Sequence, residues 1–218
     1  QPAIRLFQDL QWETYNCFDE TFLPGGGSLG RETPEEVVLV RRLRSALKRF
    51  NPTLDPEVIE LAIQELTRDR STASPVNANR EIYQMLKEGV RVPHRNRQGE
   101  TTIDNVKIVD WNTPQNNDYF LASQLWISGE LYKRRTDLVG FVNGIPLVFI
   151  ELKATHNDLK KAYRDNFRDY KTAIPQLFWY NGIVILSNGS KSVIGTITSE
   201  WEHFNEWKRI NTEGEQGI

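Results

Sequence analysis

The stretch that most constrains this chain runs from residue 135 to residue 153. Arg135-Thr136-Asp137-Leu138-Val139-Gly140-Phe141-Val142 leads into Asn143-Gly144 and out through Ile145-Pro146-Leu147-Val148-Phe149-Ile150-Glu151-Leu152-Lys153. Two apolar runs around an Asn-Gly pair predict a β-hairpin, because a tight hairpin turn needs φ > 0 at both central positions. The runs are apolar on both faces, which places the strands inside a sheet covered on each side. Charge is out of place there, yet Asp137 opens the first strand and Glu151 and Lys153 close the second. Side chains alternate along a strand, so Glu151 and Lys153 share one side and Leu152 points into the opposite layer. Buried carboxylates cost several kcal/mol unless their charge is compensated, and a divalent cation is a natural compensator.

The register makes a sharper demand. With a plain two-residue turn, Val142 faces Ile145 and Asp137 faces Ile150, which leaves Asp137 and Glu151 on opposite faces. A third loop residue or a bulge is therefore expected, with Pro146 as the marker because it lacks a ladder donor. One inserted residue flips the parity and brings the carboxylates together.

Composition bounds the rest. A chain of 218 residues, 39% apolar and 26% charged, suits one globular domain with a good core, or one domain plus an appendage. The net charge of -2 confines any nucleic-acid contact to local basic patches. A single cysteine, Cys17, excludes an internal disulfide framework and a multi-cysteine zinc site, and fits a reducing compartment. No apolar run reaches the length of a membrane span, and no signal peptide is visible. The start at Gln1 and the ending Gly214-Glu215-Gln216-Gly217-Ile218 read as a fragment of something larger, closed by a linker stub.

Upstream, residues 3–12 carry helical apolar spacing. The loop Pro24-Gly25-Gly26-Gly27-Ser28 lacks the Gly-Lys-Ser/Thr continuation of a phosphate cradle and reads as a mobile loop. Thr33-Pro34-Glu35-Glu36 predicts a helix start, continued through Val37, Val40, Leu43 and Leu47 and stopped at Asn51-Pro52. The arginines and lysines around that helix read as a solvated face. Two more helices are expected over 56–66 and 79–87, then strands over 90–92, 101–111 and 119–127, with turns at 95–99 and 112–117. After the hairpin, a helix over 158–173 with the stripe Leu159, Tyr163, Phe167, Tyr170 and Ile174 leads to a strand over 182–187, so a parallel crossover pair is expected. An amphipathic helix over 199–210 is predicted last. The fold class is α/β: a mixed central β-sheet flanked by helices. The domain reading is a helical N-terminal part over 1–89 packed on a core over 90–198, with a terminal helix and linker over 199–218.

Asp137, fourteen residues on Glu151, then Lys153, each on a strand and followed by a helix and a strand, resembles the PD-(D/E)XK nuclease superfamily, whose fold is restriction-endonuclease-like. More closely, the chain resembles the nuclease domain at the N-terminus of the motor (restriction) subunit of type I restriction enzymes. The resemblance covers nearly the whole chain. It is carried by Asn79 to Gly89, Val109-Asp110-Trp111 with Asn116-Asn117-Asp118, Arg134-Arg135-Thr136-Asp137, the hairpin, Gln176-Leu177-Phe178, Ser187-Asn188-Gly189 and Gly195-Thr196. Three departures stand out. Thr136 occupies the position of the superfamily's proline. Asn166 stands where this subfamily carries a glutamine, four positions before Tyr170. A glutamate that many relatives carry on a helix before the sheet falls ahead of Gln1.

The resemblance implies that Asp137, Glu151 and the backbone carbonyl of Leu152 hold Mg²⁺ and that Lys153 orients the attacking water. It implies DNA or supporting contacts at Asn166, Tyr170, Arg134, Arg135, Lys160 and Arg164, with Lys133 beside them. The plain structural alternative is a strand-end salt bridge between Asp137 and Lys153. The implied activity is non-specific hydrolysis of double-stranded DNA after an ATP-driven motor, carried by other domains of the same chain, stalls. Modification and specificity subunits, ATP and S-adenosylmethionine belong to the complete cytoplasmic prokaryotic enzyme and not to this segment. The rival reading is a catalytically silent DNA-clamping or coupling domain of the same subunit.

Overall fold

The computed structural model describes residues 2–95 and 99–207. In chain order these form α1 (Pro2–Asp9), β1 (Glu13–Asn16), α2 (Val40–Phe50), α3 (Pro56–Thr67), α4 (Pro75–Glu88), β2 (Val90–Arg95) and β3 (Thr101–Val106). Then come β4 (Tyr119–Ser123), β5 (Trp126–Ser128), β6 (Lys133–Arg135), β7 (Leu138–Val142) and β8 (Ile145–Leu152). The helix that follows has three parts, α5 (Leu159–Ala162), a π turn (Tyr163–Phe167) and α6 (Arg168–Ala173). Last are α7 (Pro175–Phe178), β9 (Ile183–Ser187), β10 (Ser192–Gly195) and β11 (Asn205–Glu206).

The predicted hairpin is β7–β8. Asn143 and Gly144 have φ of 52° and 80°, so the turn keeps two residues of the primed type. A side chain at Gly144 would strike the Leu39 carbonyl, 2.4 Å from an added Cβ. The expected bulge follows at once: Val142 faces Ile145 and Phe141 faces Pro146, but Gly140 faces Val148. Leu147 is therefore the surplus residue, beside the proline that cannot bond the ladder. Its carbonyl instead accepts the Gly182 N–H at 2.8 Å and the Asn181 side chain at 3.2 Å. Beyond the bulge Leu138 faces Ile150, so the next positions outward are Asp137 and Glu151.

The hairpin is the middle of a seven-stranded mixed sheet in the order β1-β4-β7-β8-β9-β10-β11. β8 and β9 pair in parallel across the expected helical crossover, and β1 pairs in parallel with β4. One face carries Val139, Phe141, Phe149, Val184 and Leu186 against Phe167, Tyr170, Phe178 and the α2–α3 side chains Leu43, Leu47, Ile59 and Leu66. Phe149, fully buried, meets Tyr170 and Phe178 edge-on at 5.6 and 5.3 Å. Burial of such a ring contributes about 1.5–3 kcal/mol. The other face, with Leu121, Leu138 and Ile150, is closed by Ile4 and Phe7 of α1 and by Trp12. All five residues of the predicted 159–174 stripe are buried.

Several expectations are corrected. The chain over 31–39 is irregular, with a turn at Pro34-Glu35, and α2 begins at Val40 instead of Thr33. Local capping lost there to tertiary bonds. Arg31, 1% exposed, forms an ion pair with Glu20 and donates to the Glu36 and Trp126 carbonyls at 2.7 and 2.9 Å. The Pro34 carbonyl accepts from Ser128 and the Leu39 N–H donates to Gly144. The glycine loop is tied into the same knot, with Gly27 N–H donating to the Arg31 carbonyl at 2.8 Å. The fourth helix starts earlier than expected, at Pro75, capped by Ser74. The 101–111 strand ends at Val106.

The 119–127 strand breaks at Gln124, whose φ is 58°. The predicted 199–210 helix is a 3₁₀ turn, Trp201–His203, then β11 on the sheet edge, because Phe204 packs over Gly195 and Trp207 N–H bonds the Ser192 carbonyl. Its residues 208–210, the 211–218 linker and the 96–98 turn lie outside the described residues. β1 and β11 belong to the central sheet, so strands from 1–89 and 199–218 are built into it alongside those of 90–198. Cys17 is fully buried, its N–H on the Ser123 carbonyl.

Candidate active site

Asp137 lies where one long antiparallel pair leaves the sheet. In β4–β7, Ser123 faces Leu138; in β5–β6, Trp126 faces Arg135, which is the same register continued past a break. At the break the Thr136 N–H and hydroxyl both donate to the Leu125 carbonyl, at 2.9 and 3.2 Å, and Gln124 N–H donates to the Asp137 carbonyl at 2.9 Å. Thr136 is fully buried. It thus uses a backbone N–H that a proline lacks, so a threonine here has a structural role.

The bulge aligns the second carboxylate with the first. Asp137 and Glu151 lie on the face that also carries Val139 and Phe149, opposite Leu138, Ile150 and Leu152. Asp137 is half-buried and its Oδ2 accepts the Leu152 N–H at 2.8 Å. Glu151 is 2% exposed; its Oε1 accepts from Lys153 Nζ at 2.7 Å, while its buried Oε2 has no partner. Burial first, then the charge of Asp137, pushes the Glu151 carboxyl up to about 7 against the pull of Lys153. Lys153, half-buried, is anchored by its N–H on the Ser187 carbonyl at 2.8 Å. The salt bridge at the strand end therefore joins Lys153 to Glu151, not to Asp137.

The helix after the site supplies the third wall. Tyr170 donates its hydroxyl to the Arg135 carbonyl at 3.0 Å, two residues before Asp137. Its phenol is pushed up to about 12, mainly by burial and next by Glu151, against a smaller downward pull from Asn166 in the π turn. Asn166 also lines a cavity of about 170 Å³ with Lys153, Asn157, Asp158, Lys161 and Asp165. Of the basic residues, Arg134 is held by Asp169 in a two-point pair at 2.6 and 3.0 Å, whereas Arg135, Lys160 and Arg164 are exposed.

Sequence reasoning missed the π turn, which has no local signature, and the Arg31–Glu20 knot, whose partners Glu20, Glu36 and Trp126 come from separate stretches of the chain. The two carboxylates fit a hard divalent cation: Mg²⁺ takes oxygen ligands and uses one or two carboxylates with waters. Glu151 Oε2, buried and unpaired, is the oxygen with the most to gain from such an ion. Among the described residues no group of three or more His, Cys, Asp or Glu side chains gathers to hold a metal, which sets this pair apart from a zinc cage. No described helix is long and apolar enough to cross a membrane.

Comparison with known proteins agrees with this geometry. Residues 1–203 match the family model described as type I restriction enzyme R protein N terminus. The chain is 33% identical over 216 residues to the type I restriction enzyme HindI endonuclease subunit of Haemophilus influenzae, covering 97% of this chain and 20% of that protein. It is 30% identical over 191 residues to a putative type I restriction enzyme endonuclease subunit, MjaIXP, of Methanocaldococcus jannaschii, covering 84% of this chain and 18% of that protein. The chain thus spans about a fifth of the length of the curated relatives it matches. With its matched residues running from the first helix to the last 3₁₀ turn, the chain belongs to the family of type I restriction enzyme R protein N termini.

Proposed function

We propose that this chain is the Mg²⁺-dependent nuclease domain of a type I restriction enzyme, hydrolysing phosphodiester bonds of double-stranded DNA. The observation that carries the reading is the bulge-set meeting of Asp137 with a buried Glu151 whose Oε2 lacks any partner. Asp137 and Glu151, with the Leu152 carbonyl at the strand end, are the groups that would hold the ion. Bound there, Mg²⁺ neutralises charge on the scissile phosphate and makes a water more acidic. Lys153 Nζ, fixed at 2.7 Å from Glu151 Oε1, orients the water and opposes the negative charge that develops on the phosphate. Tyr170 fixes the backbone at Arg135 and so the aim of Asp137, with Asn166 one helical turn before it. Arg135, Lys160 and Arg164 face solvent around the site as contacts for the DNA backbone. Arg134, bound to Asp169, serves the fold.

Motor domains of the same subunit, together with modification and specificity subunits, complete the enzyme in this reading, and ATP and S-adenosylmethionine act on those parts. Non-specific cutting follows from the absence of any base-reading role in the residues assigned. The test is plasmid cleavage by the complete assembly with ATP and Mg²⁺, comparing wild type with Asp137→Asn and Lys153→Ala. Loss of cutting with translocation intact supports the nuclease. Equal cutting by all three proteins rejects the site and leaves a silent coupling domain.

A further inference from the structure

The β5–β6 ribbon carries an alternation of cations and rings of which the proposed function uses Arg135 alone. Lys133 Nζ lies 4.9 Å from the centre of the Trp126 ring. The Arg135 guanidinium lies 5.5 Å from the same ring and 5.4 Å from that of Phe18. The order Lys133, Trp126, Arg135, Phe18 thus forms a ladder on one face. Arg134, between the two cations in sequence, points the other way and is neutralised by Asp169. Among the described residues neither Lys133 nor Arg135 forms an ion pair, and both are exposed.

A two-stranded ribbon is marginal in water by itself. This one is tied down along its inner edge. The buried Arg31 donates to the Trp126 carbonyl at 2.9 Å, Ser128 N–H donates to the Pro34 carbonyl at 3.0 Å, and Gln176 donates to the Ser128 carbonyl at 2.7 Å. Gly129 lies so close to helix α6 that an added Cβ would sit 1.9 Å from the Ala173 carbonyl. The cations therefore stand on a fixed support with their stems against rings, and ordering them on an anion loses less side-chain freedom than for ordinary surface lysines and arginines. Alternate positions on a strand share a face, so Lys133 and Arg135 lead straight toward Asp137.

We propose that the β5–β6 ribbon with Phe18 is a preformed grip for the phosphate backbone of duplex DNA, in which Lys133 and Arg135 each neutralise a phosphate on the way into the site and Arg134 takes no part. The inference rests on the nuclease reading for its substrate but concerns binding, so it is tested without catalysis. The chain's affinity for a fluorescent duplex of arbitrary sequence is measured by anisotropy in EDTA across a salt series. Each phosphate contact contributes about 0.9 to the slope of log affinity against log salt. Lys133→Ala with Arg135→Ala should therefore flatten the slope by roughly 2. A control that removes the same charge from α2 and α4, Lys48→Ala with Lys87→Ala, should leave it within error, as should the charge-neutral pair Arg134→Gln with Asp169→Asn.

Replacing Trp126 by Leu should weaken binding while leaving the slope, since the charges remain and only their support is lost. An unchanged slope in the double variant, an equal flattening in the lysine control, or no salt-dependent binding by the wild type each overturns the grip. If Asp137→Asn abolishes cutting in the complete enzyme while the ribbon variants bind as wild type, the nuclease stands and the grip alone falls. If the ribbon variants lose binding while Asp137→Asn still cuts, the grip stands and the nuclease site falls.

Discussion

At the turn end of the β7–β8 ribbon, Asn143 is fully buried and its side chain is fully employed. Its Nδ2 donates to the Ile108 carbonyl at 3.0 Å and to Asn117 Oδ1 at 2.8 Å, and its Oδ1 accepts the Asp118 N–H at 2.8 Å. Asn117 in turn spans Asp110 and Pro114. At the other end Glu151 is just as deep, carries a charge, and has one oxygen with nothing to bond. Burying a polar group is tolerable when every lone pair is met and costly when one is not. The same two strands therefore hold a polar cluster optimised for the fold and another left unfinished by the fold. Only the bonding count separates support from chemistry.

The comparison can be broken at either end. The largest effect is expected from Lys153→Ala, which should lower DNA cutting by the complete assembly about 10²–10³-fold while the chain stays folded. Cutting at the wild-type rate would make the Glu151 end as structural as the Asn143 end. Next, Asn143→Ala should destabilise the chain by roughly 2–4 kcal/mol in urea unfolding. It strands the Asp118 N–H, the Ile108 carbonyl and Asn117, and forces Ala to a positive φ. A change below about 0.5 kcal/mol, the usual range for an uninvolved surface position, would show the network to be dispensable.

Glu151→Gln should act in the opposite direction on stability. Burial pushes the folded-state carboxyl up to about 7, above its ordinary 4.5, so between those values the folded chain holds a proton that the unfolded chain has lost. Metal-free stability therefore falls as pH rises across that window. The Gln variant should remove this fall and stand about 1–3 kcal/mol above wild type at pH 8, by thermal melts in EDTA. A wild-type profile flat from pH 5 to 8 would show that Glu151 is not strained by its burial.

The smallest effect belongs to Asp110, held down to about 2 chiefly by Lys107 and then by Asn116. A depressed carboxylate stabilises the fold above its unfolded value of 3.8 and loses that contribution as pH falls toward 2. Asp110→Asn should therefore cost stability near neutrality and flatten the fall in that window, so that the two proteins converge as pH approaches 2. An unaltered acid transition would show that the Lys107 and Asn116 bonds do not matter to it.

The hairpin, its bulge and the meeting of Asp137 with Glu151 could be read from the sequence because they follow from local rules: Asn-Gly fixes the turn, and the parity of 137 against 151 demands one surplus residue. The 159–174 stripe was legible for the same reason, since its period survives the π turn. Thr33-Pro34-Glu35-Glu36 misled because its capping signal competes with Arg31, whose partners come from Glu20, Glu36 and Trp126. Trp201, Phe204 and Trp207 misled similarly: helical spacing and a docked edge strand draw on the same aromatic residues, and only Gly195, waiting beneath Phe204, decides between them. The unpaired oxygen of Glu151 had no signature in sequence, since it depends on what fails to come near.

The burial of Cys17 has a practical sequel. It is the sole cysteine in the sequence, and its thiol is pushed up to about 12, chiefly by burial and next by Glu20. A thiol that stays protonated at neutral pH reacts slowly with alkylating reagents and disulfides. The folded chain thus offers a silent background for labelling chemistry: a cysteine introduced at the exposed Leu131 would be modified alone. A probe or cross-linker could be mounted at the tip of the β5–β6 ribbon without first stripping the native residue.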